Sequence, residues 1–185
     1  MERAAWLERR YGAQIDWRPF DLHPEYPPEG IPRSVLASRY GAGLSDRLGA
    51  MFSDAGLPFK SDLDKVPNSR LALILGELAR DRGVHGALHP RLFDAYWARG
   101  RDLGDPQVLI EEGSAAGLDE QEVEAALRDP RYGERVTRET EAAIELGAGG
   151  VPAWVIDERL LVPGAQPHEV FDQVLARFGH QPAAG

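Results

Sequence analysis

At Gly147 the chain changes character. GAGGVPAWVIDERLLVPGAQP holds two short β-rich runs, residues 153–156 and 159–162, joined by Asp157-Glu158, a hairpin pattern that lacks the favoured turn glycine. Roughly a hundred residues of helical pattern precede it. One earlier strand is expected at residues 14–20, where Ile15, Trp17 and Pro19 alternate with Asp16 and Arg18. Pro19 moves that strand towards a sheet edge or a strand end. A helical bundle has no use for a hairpin, so the order helix, strand, helical insert, hairpin, helix reads as an α/β sheet with a helical subdomain.

The helices carry their own punctuation. Residues 2–11 place Trp6, Leu7 and Tyr11 near turn spacing, and Gly12 stops them. DLHPEYPPEGIP, with four prolines and a glycine, is an extended crossing segment. Short helices are expected at 33–40 and 44–55. Pro67-Asn68-Ser69 then introduces RLALILGELARDRG, with Leu71, Ile74, Leu75 and Leu78 at helical spacing. A helix over 90–99 follows, with Leu92, Phe93, Tyr96 and Trp97 clustered. Asp105-Pro106, Asp119 with Glu122 three residues on, and Asp129-Pro130 open three more. The last helix is expected at 168–178. The resulting division is 1–32 with 147–180 as one domain and 33–146 as a helical insertion.

Charge and composition exclude several classes. With 30 acidic residues against 21 basic ones and a net charge of -9, the chain lacks the basic stripe that binds phosphate backbones, so no nucleic-acid partner is expected. No run of 18 apolar residues predicts a membrane span. The first residues, MERAAWLERRYGAQIDW, have no apolar signal core, and a cytoplasmic protein is expected. There is no cysteine, hence no thiolate nucleophile, disulfide framework or thiolate metal site within the chain.

Other residues invite functional readings that the pattern does not sustain. His85 and His89 have a metal-ligand spacing, yet Gly83 and Gly86 suggest a loop and no third ligand is tied to them; no metal is expected. Glu111 with Glu112, and Asp62 with Asp64, read as surface carboxylates. The glycines of the chain form no dinucleotide fingerprint, and Tyr96 and Trp97 read as packing.

WRPFDLHPEYPPEG, PNSRLAL, HPRLFDAYWARGRDLGDPQVL, AAGLDEQEVEAAL and GGVPAWVIDERLLVPGAQPHEVF, in that order, resemble the DsbA family. They are most similar to its cytosolic branch close to the 2-hydroxychromene-2-carboxylate isomerases. The resemblance covers nearly the whole chain. It implies a thioredoxin-like fold interrupted by a large helical insertion. It also implies that Val151-Pro152 is the cis-proline segment facing the active-site residue, with the backbone of Val151 pairing with a bound peptide or with the cysteine moiety of glutathione. Gly149 and Gly150 beside it permit close approach of a ligand. Asn68 sits where isomerase-like members place an asparagine near the cleft; read from its neighbours alone it is equally a cap or turn residue. Trp17 and Phe20 match the family's strand and turn, as core or cleft wall.

The departure from the family pattern lies at the start. The family has a strand and then Cys-x-x-Cys, or a serine-containing variant, at the first helix. This sequence begins inside what would be that helix. A start codon assigned too late is the favoured explanation, so the first strand is expected to be absent and the catalytic residue to lie before residue 1. The resemblance therefore implies a thiol-disulfide oxidoreductase-like protein without redox activity as this chain. Its alternatives are a glutathione-dependent isomerase, in which glutathione supplies the sulfur, and a non-enzymatic interaction scaffold. The ligand-contacting residues it implies are Asn68, Val151 and Pro152, the partner a thiol-containing small molecule or peptide, and the assembly a homodimer covering exposed strand edges.

Overall fold

The computed structural model describes residues 2–183 except 42, 61 and 62. Among them the order is α1 (Glu2–Tyr11), β1 (Ile31–Pro32), α2 (Arg33–Tyr40), α3 (Leu44–Asp54), β2 (Lys65–Val66), α4 (Arg70–Asp81), α5 (His85–Trp97), α6 (Pro106–Ala115), α7 (Glu120–Arg128), α8 (Pro130–Glu145), β3 (Ala153–Ile156), β4 (Leu160–Pro163) and α9 (His168–Arg177). The expected architecture is present: an α/β core, a large helical insertion, and no strand before α1 among the described residues. No helix among them is long and apolar enough to cross a membrane. The chain divides into two compact units, Met1–Leu22 with Glu139–Gly185, and His23–Arg138. Residues 23–32 fall with the helical unit, because Ile31 pairs with Val66 and Tyr26 O accepts from Asn68 Nδ2.

The helical unit is built on α4. Its Ala72, Leu75, Leu78 and Ala79 pack with Leu88 and Leu92 of α5, Leu109 and Ile110 of α6, and Val123 and Ala126 of α7. A side chain at Gly113 would meet Val123 Cγ2 at 2.9 Å, so α6 and α7 approach at a distance only glycine allows. The helix starts follow the sequence: Asp105 accepts from Gln107 N at 2.9 Å and Asp119 from Glu122 N at 3.1 Å. Buried Glu77 is held by Arg80 at 2.9 Å and by Arg135, which also pairs with Asp81, tying α4 to the first half of α8.

Three expectations are corrected. Residues 14–20 form no strand. The alternation survives in burial, with Ile15, Trp17 and Pro19 turned in and Gln14, Asp16 and Arg18 exposed. A strand is defined by its ladder, however, and no strand among the described residues forms one with this segment. The loop expected around His85 is helix: Gly83, at φ 69, ends the preceding turn, and α5 starts at His85 and carries Pro90 inside it. Glu112 is not a surface residue. It is 2% exposed, because Arg91 (3.2 Å), Arg99 (2.8 Å) and Arg101 (3.4 Å) converge on its carboxylate.

The other unit packs α1 and α9 under the hairpin. β3 and β4 pair antiparallel with Trp154 opposite Val162 and Ile156 opposite Leu160. Leu7, Val162, Phe171 and Leu175 form the core, with Trp6, Ile15, Trp154 and Ile156 around it. The turn closes with Arg159 N donating to Ile156 O at 3.0 Å. Asp157 and Glu158 take φ of 51° and 54° there, a left-handed pair that glycine or asparagine would fill at less cost.

Candidate functional site

The hairpin has two unlike faces. Trp154 and Ile156 turn inward. Ala153 and Val155 turn out, in line with Val151, so that an apolar row leads from the loop before β3 along the outer face of the strand. Val151 is 57% exposed and Val155 46%, which is a large exposure for side chains with no polar atom. One edge of β3 pairs with β4, and the other has no ladder partner among the described residues.

The loop that enters β3 is open. The Val151–Pro152 peptide bond is cis. Pro152 O accepts from Gly164 N at 2.8 Å, which fixes the loop against the end of β4. The backbone N–H and C=O of Val151 have no hydrogen-bond partner among the described residues. Beyond its backbone neighbours Gly149 faces open space, and a side chain at Gly150 would meet only Leu22 Cδ1, at 4.0 Å. Leu22 itself is 44% exposed. Next to it, Asp21 N donates to Thr140 Oγ1 at 2.9 Å, a buried bond that holds the end of the 13–22 segment on the second half of α8. The result is an exposed apolar shelf, bordered by a backbone donor and acceptor, that can pair with an extended ligand main chain and accept an apolar or sulfur-bearing side chain.

Asn68 belongs to the helical unit. Its Nδ2 donates to Tyr26 O at 2.8 Å and its Oδ1 accepts from Arg70 N at 2.8 Å. It therefore fastens the proline-rich segment to the start of α4 and supplies the capping bond that Ser69, the residue before the helix, does not make. One amide N–H and one lone pair of Asn68 are left over from these two bonds. Val151 and Pro152 stand together in one unit, and Asn68 stands in the other. Trp17 and Phe20 are half-buried. Of the carboxylates set aside in the sequence, Asp62 lies outside the described residues. Asp64 O accepts from Arg33 N. Glu111 pairs with Arg101 at 2.7 Å, and that pairing holds its carboxyl below the usual range.

His85 and His89 lie one turn apart on α5 with rings 5.1 Å apart. Burial, and then the charge of His85, push His89 down to about 4, so at neutral pH its imidazole is uncharged. No group of three or more metal-ligating side chains is present among the described residues. The open loop before β3 was legible in the sequence through Gly149-Gly150. The apolar row beside it was not, because nothing in VPAWVI tells which alternate set meets the core until the partner elements are placed.

Comparison with known proteins agrees with this layout. The family described as DSBA-like thioredoxin domain matches residues 2–176. A crystal structure of a probable DsbA oxidoreductase from Streptomyces coelicolor is 35% identical and superposes with a TM-score of 0.78, over 91% of this chain and 76% of that one. A 2-hydroxychromene-2-carboxylate isomerase structure is 22% identical with a TM-score of 0.67, over 96% of this chain and 87% of that one. The protein YwbO of Bacillus subtilis, itself uncharacterised, is 24% identical over 183 residues, 94% of this chain and 88% of its own length.

Proposed function

The chain belongs to the DsbA-like thioredoxin family, and from that premise we propose that it binds a thiol-bearing small molecule or peptide at the Val151–Pro152 loop without exchanging disulfides through its own residues. Disulfide exchange requires attack by a thiolate, and the 185 residues contain no cysteine. What supports a retained binding role is the open backbone of Val151, whose N–H and C=O have no partner among the described residues, beside exposed Gly149 and half-buried Gly150. Glutathione fits this reading. Its cysteine main chain pairs with Val151, and its sulfur rests beside Pro152. For Asn68 the resemblance alone supports a ligand contact, made through the N–H and lone pair beyond its two structural bonds. We place the protein in the cytoplasm, where the glutathione pool is held reduced.

One observation favours a second reading. A glutathione-dependent isomerase draws its sulfur from the cofactor, so the absence of cysteine does not bar such chemistry. The fold is shared with a 2-hydroxychromene-2-carboxylate isomerase.

Calorimetric titration of the chain with reduced glutathione tests the binding. Saturable heat at millimolar or tighter affinity is the expected result. The absence of heat at millimolar ligand overturns the proposal. Turnover of an aromatic carboxylate by the glutathione-loaded chain would select the second reading over the first.

A further inference from the structure

We propose that residues 178–183 form a strap that holds the β3–β4 turn in its left-handed conformation. The turn needs holding because of what occupies it. Asp157 and Glu158 take φ of 51° and 54°, where Cβ crowds the carbonyl oxygen that follows, and neither is the glycine or asparagine that suits such a turn. Residues in this region persist where the surrounding structure over-determines them. The bond from Arg159 N to Ile156 O, 3.0 Å, closes the turn from within. The strap adds contacts from outside.

It begins where α9 ends. Gly179, at φ 84, closes that helix with a paired set of bonds: its N–H donates to Ala176 O at 3.1 Å, and His180 N donates to Leu175 O at 3.0 Å. The reversal brings His180 to the hairpin, where its Nε2 donates to Asp157 Oδ2 at 2.6 Å and holds the first left-handed residue by its side chain. The guanidinium of Arg159 lies over the Phe178 ring, 5.1 Å from the centroid, and so the residue directly after the left-handed pair is held as well. Beyond His180 the chain runs on to α1, where Ala183 N donates to Arg10 O at 2.6 Å. Arg10 Nε in turn donates to Asp172 Oδ1 of α9 at 2.9 Å. The strap thus crosses from one helix to another that is already tied to it, and it meets the turn on the way.

The turn is one end of the hairpin. The other end carries the Val151–Pro152 loop, where Gly164 N donates to Pro152 O at 2.8 Å. The strap therefore fixes β3 and β4 at the end remote from that loop. Both partners of its ion pair, His180 and Asp157, are exposed, so the contact is weak by itself and the clasp is releasable.

Hydrogen exchange of single amides, followed by NMR on the full chain, tests the proposal. His180→Ala should speed exchange of the Arg159 amide about two- to fivefold, while amides in the middle of α9 keep their rates. Gly179→Ala should act in the same direction. A side chain at Gly179 meets nothing within 4 Å, so its effect comes through the backbone alone, by misdirecting the strap. Glu158→Gly removes the left-handed penalty at one of the two turn residues. Added to His180→Ala, it should bring the Arg159 rate back to that of the parent chain or below. Unchanged exchange at Arg159 in His180→Ala overturns the proposal, as does an acceleration shared by the middle of α9. A His180→Ala/Glu158→Gly chain that exchanges as fast as His180→Ala alone overturns it too, because strain at the turn is then not what the strap holds.

Discussion

Trp154 meets Phe171 edge to face, with ring centroids 5.2 Å apart and planes at 76°, and this contact ties β3 to α9. Phe171 is fully buried, whereas the indole Nε1 of Trp154 is buried with no acceptor among the described residues. The two residues therefore answer differently to substitution. Phe171→Ala is expected to cost about 3–5 kcal/mol, by lost transfer energy and the cavity left behind. Trp154→Phe forfeits no hydrogen bond and removes an unsatisfied donor, so about 1 kcal/mol or less is expected. Urea denaturation of the two variants checks the ranking.

His89 makes stability depend on pH in a defined window. Burial first, and His85 second, hold its folded value at about 4, against an ordinary 6.5. Between those limits the unfolded chain binds the proton and the folded chain does not. Stability from this residue is thus complete above about pH 6.5 and falls as pH drops towards 4. His89 is only partly buried, so solvent reduces the effect to about 1–2 kcal/mol in all. His89→Gln should flatten the difference in denaturation midpoint between pH 7 and pH 4.5 by that amount.

Glu112 is a buried carboxylate on which three guanidinium groups converge inside the helical unit. Glu112→Ala leaves Arg91, Arg99 and Arg101 crowded without their shared counter-charge and is expected to cost about 3 kcal/mol. Arg91→Ala should cost about 1 kcal/mol or less, since Arg91 is 40% exposed and the other two arginines remain. Thermal denaturation distinguishes the two.

These residues also mark where the sequence was legible. Helix starts at Asp105 and Asp119 could be read directly, because a cap is a local bond between a side chain and an amide two or three residues on. The hairpin was legible for the same reason, with β4 displaced by one residue because Arg159 is taken up by the turn. Glu112 was not, since its partners come from α5 and the loop after it, and only the packed fold shows three arginines meeting one carboxylate. Residues 14–20 illustrate the converse limit. Alternation announces which side chains face inward, but pairing depends on a neighbouring strand that no local pattern can supply. The β1–β2 ladder, two residues on each side, is too short to leave any periodicity. The cis bond at Val151–Pro152 was legible by resemblance. Asn68 carried two meanings in the sequence, and the structure shows the capping bond to Arg70 N together with a bond to Tyr26 O.

Asn68→Ala should therefore have two separable effects. Loss of the bonds to Tyr26 O and Arg70 N is expected to lower stability by about 1–2 kcal/mol. Asn68→Asp keeps an acceptor for Arg70 N and loses the donor to Tyr26 O, so it should recover part of that stability. In glutathione titrations both variants, lacking the amide N–H, should bind more weakly than the parent chain by several-fold. Parent-like affinity in both would limit Asn68 to its capping role.

The binding and redox parts of the proposed function can be tested in one chain. Gly150 is not in the left-handed region, and a side chain there has room beside Leu22. Gly150→Val should consequently fold with the parent's midpoint. Its branched side chain would stand where the ligand main chain must approach Val151, so glutathione binding is expected to fall by roughly tenfold or more. Neither chain should reduce a mixed disulfide faster than glutathione alone, because no residue can supply the attacking thiolate. The two measurements fail independently. Faster reduction by the parent chain would refute the redox-inactive reading while leaving the binding loop intact. Unchanged glutathione affinity in Gly150→Val would move the ligand away from Val151 whatever the redox result.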